Sequence, residues 1–544
     1  MKKQFFAAAM ILALGAGFTA CSNDDLGKQE GKQVAQNAST YMTVTFDMPR
    51  VNSTRATAAD GQDKDTPDFN YLGQWSGQDK VTSFTLFVFA GKTADSKLEV
   101  AKEYSAGSFT VSTATGNAVV KPNEAFLVAP GEKRVFVVIN PTVEVTTHLN
   151  ATVGTTTLGE FEDKYKDAEF TPTWATSPLA KHVDAAGSGA SYDNILMTGL
   201  SADKNIVKGV SSSEAVAGAE NNVALKVQRA VAGVTVTSTA PSYSIKGMNA
   251  DTKTLEEGYV TVSELSYVVG QTNKKLYLQQ KANDAATVTS DGAAFKTPAY
   301  DYVPGDDYNT KATTYFDYSG LEKVTTGSTR KTNGLEVAVL TDRTLTGVTP
   351  KLPNVEFLLP TTHKYSTDRT KSGYRKGNSP YVLVRGYLTP QKYIDANGEA
   401  KPIKDLGQDA DLFYGETTGL FYQNLETTQA TDKNGVKDQK VRKFAKRVVL
   451  YWAWLNLDQA EVNSPVIRNN IYHIQITSIG NLGGNWNPLN PDPNNPDPKP
   501  NEPHQPDTPP IDPKDPLTLD KTWMSTNVTI LPWQVHSREI ELSI

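Results

Sequence analysis

The sequence predicts an all-β protein of the β-sandwich class. Short apolar runs of strand length recur along it, and Gly, Asn, Asp and Thr turns separate them. Its 39 Gly and 30 Pro punctuate the chain at turn spacing, and helical heptads are missing. Leaving out the segment that ends at Arg55, roughly 490 residues remain, enough for two to four domains with sizeable cores.

The first strand is Tyr41 to Met48, which places Met42, Val44, Phe46 and Met48 on one face and Tyr41, Thr43, Thr45 and Asp47 on the other, the period of two of a half-buried strand. Further strands are expected over Val81–Ala90, Lys133–Ile139, Val223–Thr237, Tyr259–Val269, Pro380–Leu388, Arg447–Leu455 and Asn470–Ile479. Leu158–Asp167 and Ser212–Ala219 are the short helix candidates. A domain boundary is placed near Gln228–Ala232, inside the run VQRAVAG.

Both ends are unusual. Lys2 and Lys3 precede the apolar run Phe5–Thr19, and small residues lead to Cys21, the pattern of a secretory signal with a lipoprotein cleavage site. The run falls short of the ~20 residues that a permanent span needs. Cys21 is the single cysteine of the chain, so an internal disulfide is impossible, and thioether attachment of lipid accounts for a lone thiol in an exported protein. After the first strand, Val51–Thr57 is small and polar, a loop in which Arg55 is open to proteolysis before Ala56, or is simply a solvated loop arginine. Cutting there would extract the strand with its lipid. At about 1.5–3 kcal/mol for each of its four apolar side chains, the vacated groove would forfeit about 6–12 kcal/mol before ordering terms.

At the other end, Pro488–Pro516 is a tether in which 12 of 29 residues are proline. In polyproline II it would hold the C-terminal segment up to ~90 Å from the body, at ~3.1 Å per residue. It leads to a strand-like tail, Thr522–Ile544. Met524, Thr526, Val528 and Ile530 share one face, and after Pro532 the alternation resumes with Ile540, Leu542 and Ile544. A lone strand must pair with an exposed sheet edge, in its own chain or in another.

Catalytic patterns are missing. The six histidines, His148, His182, His363, His473, His504 and His536, are scattered without metal-ligand spacing. Nucleophile-elbow, Walker and Rossmann patterns do not occur. Asp60, Asp63, Asp65 and Asp68 lack the glycine and terminal glutamate of an EF-hand, and Asp409 and Asp411 read as solvated loop residues. Neither a cofactor nor a metal is expected. A net charge of -6 leaves no basic field for nucleic acid. The run Tyr451-Trp452-Ala453-Trp454 is read as packing rather than as a sugar platform, since alternation puts one of its faces in the core.

The chain closely resembles the Mfa-type fimbrillins of Porphyromonas, within the FimA-like type V pilin superfamily of Bacteroidales. The resemblance runs nearly end to end. It is carried by YMTVTFDMP at Tyr41, DGQDKDTPDFNYLGQWSGQDKV at Asp60, YVLVRGYLTPQK at Tyr381, VLYWAWLN at Val449, NSPVIRNNIYHIQITSI at Asn463, and NWNPLNPDP and VTILPWQVHSREIEL in the tail.

The resemblance implies two transthyretin-like Greek-key β-sandwich domains with a Pro-rich tether and a C-terminal donor strand. The corresponding divisions are residues 1–21 (signal peptide), 22–55 (propeptide), 56–230 and 231–487 (sandwiches), 488–516 (tether) and 517–544 (donor). It implies lipidation at Cys21 and a cut by a gingipain-type, Arg-specific protease between Arg55 and Ala56. It also implies strand exchange in which a neighbour's tail, with Val528, Ile530, Trp533, Val535, Ile540 and Leu542 as donor residues, replaces the strand of Met42, Val44, Phe46 and Met48. Expected partners are identical subunits, accessory tip and anchor proteins, and bacterial or host surface receptors. The reading from another class is a monomeric surface lipoprotein that binds glycan or a host protein.

Overall fold

The computed structural model describes residues 39–48, 79–112, 118–174, 176–184, 191–218, 220–282, 295–321, 334–340, 355–366, 368, 371–455, 466–487, 489, 503–504, 511–517, 528–529 and 534–542. The chain is mostly β, as the turn spacing requires.

Its first half contributes β1 (Thr40–Met48), β2 (Ser83–Phe89), β3 (Leu98–Ser105), β4 (Phe109–Ser112), β5 (Ala118–Pro122), β6 (Phe126–Val128), β7 (Gly131–Ile139), β8 (Met197–Gly199), β9 (Ala202–Ile206) and β10 (Asn222–Arg229). These form one sheet in the order β3-β2-β7-β8-β10-β1-β5-β4, with β9 on β7 and β6 on β1. The sheet folds over on itself. Phe84 of β2 meets Phe46 of β1 edge-on at 4.9 Å and lies 5.2 Å from Phe109 of β4, although both strands are remote from β2 along the sheet. The enclosed space is the first core.

The second half contributes β11 (Ala232–Ser238), β12 (Ser242–Met248), β13 (Leu255–Gly270), β14 (Tyr381–Pro390), β15 (Val448–Trp454) and β16 (Asn470–Ile479), followed by β17 (Val528–Thr529) and β18 (Gln534–Leu542). One sheet contains β11, β16, β17 and β18, and another runs β12-β13-β14-β15. Val234, Val236, Ile474 and Ile476 of the former share a core with Val262, Val382, Val384 and Val449 of the latter. The outer face of β14 and β15 is covered too, as Leu383 and Trp454 pack with Tyr308 and Phe316. A strand buried on both faces reads as a continuous apolar run, which explains YVLVRGYL. The aromatic run is packing on both sides: Tyr451 and Ala453 enter one core, while Trp454 donates its indole N–H to the Lys376 carbonyl at 2.9 Å in the other.

The α-helices among the described residues are α1 (Val143–Leu149), α2 (Leu158–Glu162), α3 (Ser212–Ala217), α4 (Tyr308–Tyr315) and α5 (Leu425–Gln429). Capping boxes start α2 at Thr157–Glu160 and α3 at Ser211–Glu214. The helix expected over Leu158–Asp167 changes at Asp163 into a π-helical turn, which places the fully buried Tyr165 so that its hydroxyl donates to the Gly199 carbonyl at 2.9 Å. The glycine is required there, because a Cβ would run into the backbone of Lys226. The sequence reading missed α1, whose β-branched VEVTT has low helix propensity and depends on the Thr142 cap.

The run Val223–Thr237 breaks between Arg229 and Ala232 and feeds two different sheets. Buried polar ties cross this break. Arg229 pairs with Asp79 and donates to the Asn469 side chain at 2.7 Å, and Arg468 donates to the Leu278 carbonyl at 2.9 Å. Leu276, Leu278, Phe357, Leu359 and Ile471 also complete the first core.

At its described residues, 489, 503–504 and 511–516, the tether departs from the expected free leash. These residues are docked: the His504 carbonyl accepts from Val441 N at 2.7 Å, Gly377 and Lys376 donate to the carbonyls of Pro513 and Asp515 at 2.9 Å, and Leu517, just beyond the tether, is buried. Leu489 and Leu517 supply apolar anchors that proline counting overlooks.

Candidate strand-exchange site

β1 is an interior strand. On one side it runs parallel to β10, with Thr43 opposite Asn222 through Asp47 opposite Lys226. On the other it pairs antiparallel with β5, Phe46 opposite Val120, and at its start with β6, Thr40 opposite Val128. Met42, Val44 and Phe46 have no exposed surface. They lie among Leu225, Val227, Val120 and Phe126, as the period of two requires.

The opposite face departs from the half-buried pattern. α3 lies across it. Tyr41 packs with Ala125, Val210 and Ala215, and Thr43 has no exposed surface. Polar contacts pin the start of the strand. Tyr41 N donates to the Val210 carbonyl at 3.1 Å, and Thr43 N donates to the Asn221 carbonyl at 3.0 Å. The Thr40 hydroxyl accepts from Val210 N at 3.0 Å and from Asn221 Nδ2 at 3.2 Å, and the Tyr41 carbonyl accepts from the same Nδ2 at 2.9 Å. Sequence reasoning missed Thr40, Val210 and Asn221. The available signal was the pair Asn221-Asn222 ahead of an alternating strand, because asparagine tolerates the left-handed backbone that Asn221 adopts at φ 52.

The tail lies on an edge. β17 pairs antiparallel with β16, Val528 opposite Ile474, and β18 runs parallel to β16 with Val535, Ile540 and Leu542 opposite Ile471, Ile476 and Ile479. Of the two pairings that the sequence left open, the structure shows the one within the chain, and it does not bring the tail to the seat of β1. Cys21, Arg55, Ala56, Ile530 and Trp533 lie outside the described residues, as does the side chain of Met48.

Among the described residues, no group of three or more His, Cys, Asp or Glu is arranged to hold a metal ion. Asp60, Asp63, Asp65 and Asp68 lie outside them. Asp411 accepts from Lys446 N at 2.9 Å and pairs with Lys443. His363 and His473 are fully buried, and burial pushes them down to about 3 and about 4, so both are neutral imidazoles in the fold. No described helix is long and apolar enough to cross a membrane.

A family model for the C-terminal part of fimbrillin, the type IV major fimbrial subunit protein, matches residues 442–539, a span that contains β15, β16, β17 and part of β18. The class is therefore that of fimbrial subunits. Two sequences of the minor fimbrium subunit Mfa1 of Porphyromonas gingivalis are each 32% identical to the chain over 563 aligned positions, covering 99% of this chain and 99% of each relative. The chain belongs to the Mfa1 family of minor fimbrium subunits, whose members are structural subunits rather than enzymes. Among solved structures, a candidate cell adhesion protein from Parabacteroides distasonis aligns at TM-score 0.34 and 11% identity, covering 80% of this chain and 87% of that one. Another from Bacteroides eggerthii aligns at 0.33 and 12%, covering 84% and 93%.

Proposed function

We propose that the chain is a shaft subunit of an adhesive surface fimbria that supports biofilm formation, exported as an outer-membrane lipoprotein on Cys21. A gingipain-type protease cuts between Arg55 and Ala56, β1 leaves with its lipid, and the C-terminal segment of a neighbouring subunit takes its place. The bodies are the sandwiches 56–230 and 231–487. Accessory tip and anchor proteins complete the fibre, which grips bacterial or host surface receptors.

The observation that carries this reading is the interior position of β1. Withdrawing it leaves β10 unpaired on one side and β5 with β6 on the other, and reopens the places of Met42, Val44 and Phe46. Those three side chains correspond to about 4–9 kcal/mol of apolar burial that a new strand would restore. A subunit that accepts at one end and donates at the other makes a heterologous contact, which propagates as an open filament.

The pairing of the tail with its own β16 favours the second reading, a monomeric surface lipoprotein that binds glycan or a host protein. The two part at one experiment. The precursor lacking residues 1–21 is treated with an Arg-specific protease, and its new N-terminus and oligomer ladder are read together, with Arg55→Ala as control. An Ala56 start with a growing, heat-sensitive ladder that the control lacks is the expected result. Cleavage without a ladder would overturn strand exchange and favour the monomeric binder instead.

A further inference from the structure

Asn221 is the polar fixture of the β1 seat. It is 1% exposed and exchanges two hydrogen bonds with Val207, Oδ1 accepting from Val207 N and Nδ2 donating to Val207 O, both at 2.9 Å. The same Nδ2 reaches the Tyr41 carbonyl and the Thr40 hydroxyl of β1. Any strand in the seat supplies a carbonyl at the place of Tyr41. An acceptor at the place of Thr40, however, depends on the side chain, and Thr40 satisfies Val210 N as well. Three residues on, the fully buried place of Thr43 suits a small uncharged residue, since a charge there would be buried without a partner. The seat therefore reads a hydroxyl, any residue, an apolar residue, a small uncharged residue and an apolar residue, filled in β1 by Thr40, Tyr41, Met42, Thr43 and Val44.

The tail contains this pattern once. Thr526-Asn527-Val528-Thr529-Ile530 has hydroxyls at the first and fourth places and apolar residues at the third and fifth, and no other stretch of Thr522–Ile544 does. We infer that Thr526–Ile530 of a second copy of this chain replaces Thr40–Val44, parallel to β10. The Thr526 hydroxyl accepts from Asn221 Nδ2 and Val210 N, Val528 and Ile530 fill the places of Met42 and Val44, and Thr529 takes the buried place of Thr43. Asn221 is the positioning residue that selects this register.

A slip of two residues keeps every side chain on its face, so alternation alone cannot exclude it. It would put Met524 against Asn221 and the amide of Asn527 at the buried place of Thr43. Seating the second half of the tail would put Arg538 and Glu541 at those places. In the inferred register Pro532 comes directly after Leu531 and, lacking an N–H, ends the ladder at the place of Phe46. The inference rests on the strand-exchange reading, and its test separates the two.

The full chain with Cys21→Ala has no cysteine. Ala224→Cys is added on the exposed side of β10, opposite Thr45, and combined in turn with Leu531→Cys for the inferred register, Thr529→Cys for the two-residue slip, and Ser543→Cys for the second half of the tail. Each protein is cut with the Arg-specific protease, allowed to assemble and oxidised, and intersubunit disulfides are read on a non-reducing gel. The expected result is a cross-link from Leu531→Cys alone. Adding Thr526→Val should reduce it roughly tenfold, the effect of leaving buried donors unmatched, and Thr526→Ser should restore it. These tail variants leave the groove of the uncut chain untouched. A ladder cross-linked through Thr529→Cys or Ser543→Cys overturns the register and leaves strand exchange standing. No ladder and no cross-link overturns both.

Discussion

β1 and β18 stand near opposite ends of the chain, and their sheets hold them in opposite ways. β1 has a strand on each side, three fully buried apolar side chains and a helix across its other face. β18 runs along β16 at the margin of its sheet, so its removal uncovers one edge and divides nothing. A strand's value to a sheet depends on its position more than on its own pattern, since Ile540 and Leu542 of β18 repeat the period of two of β1. The interior strand is the one whose departure creates a site.

The largest effect that would break this contrast is on assembly. Deleting Thr522–Ile544 should leave a cooperatively unfolding monomer and abolish the protease-triggered ladder, as followed by denaturant melts and gels on one preparation. A deletion that still polymerised would remove the tail from the mechanism.

Within the uncut chain, Phe46→Ala should lower stability by about 3–5 kcal/mol, because the ring is fully buried against Phe84, while Val535→Ala in β18 should lose under about 1 kcal/mol. Urea titration compares them, and equal losses would erase the distinction between interior and edge.

A pH effect distinguishes the sheet that carries the tail. Burial holds His473 of β16 at about 4, while its Nε2 meets the Thr237 hydroxyl at 2.7 Å. Between pH 6.5 and 4 the unfolded chain binds a proton at this histidine that the folded chain refuses, so stability falls as pH drops through that window, with about 3 kcal/mol of the loss coming from His473 and a further share from the buried His363. His473→Gln should flatten this part of the stability profile by one proton, whereas a variant confined to β1 should not.

The smallest effect concerns the cover over β1. Ser211→Ala removes the cap of α3 and should lower the unfolding free energy by about 1 kcal/mol, read as a shift in the urea midpoint. No shift would mean that α3 holds its place by packing alone.

Much of the fold is legible in the chain. VTSFTLFVFA, KRVFVVI and NIYHIQITSI are strands in both the sequence and the structure, because apolar residues at strand period can be buried in few other ways. The face of Met42, Val44 and Phe46 was equally readable. The burial of Thr43 was not, since it arises in a sheet whose partner residues, Asn221 and Asn222, lie some 180 residues away in sequence. The tether shows the same limit: its prolines promised a free leash, while Leu489 and Leu517 bind it to a body whose surface no local pattern describes.

The sequence by itself determined which segments are strands and which face of β1 is apolar, because these properties arise from local alternation. Only the tertiary structure decided that β1 lies inside its sheet, that β16 receives the tail in the uncut chain, and that Asn221 meets Thr40. Those are pairings between residues remote along the chain, selected by which edges and cores the other strands leave open.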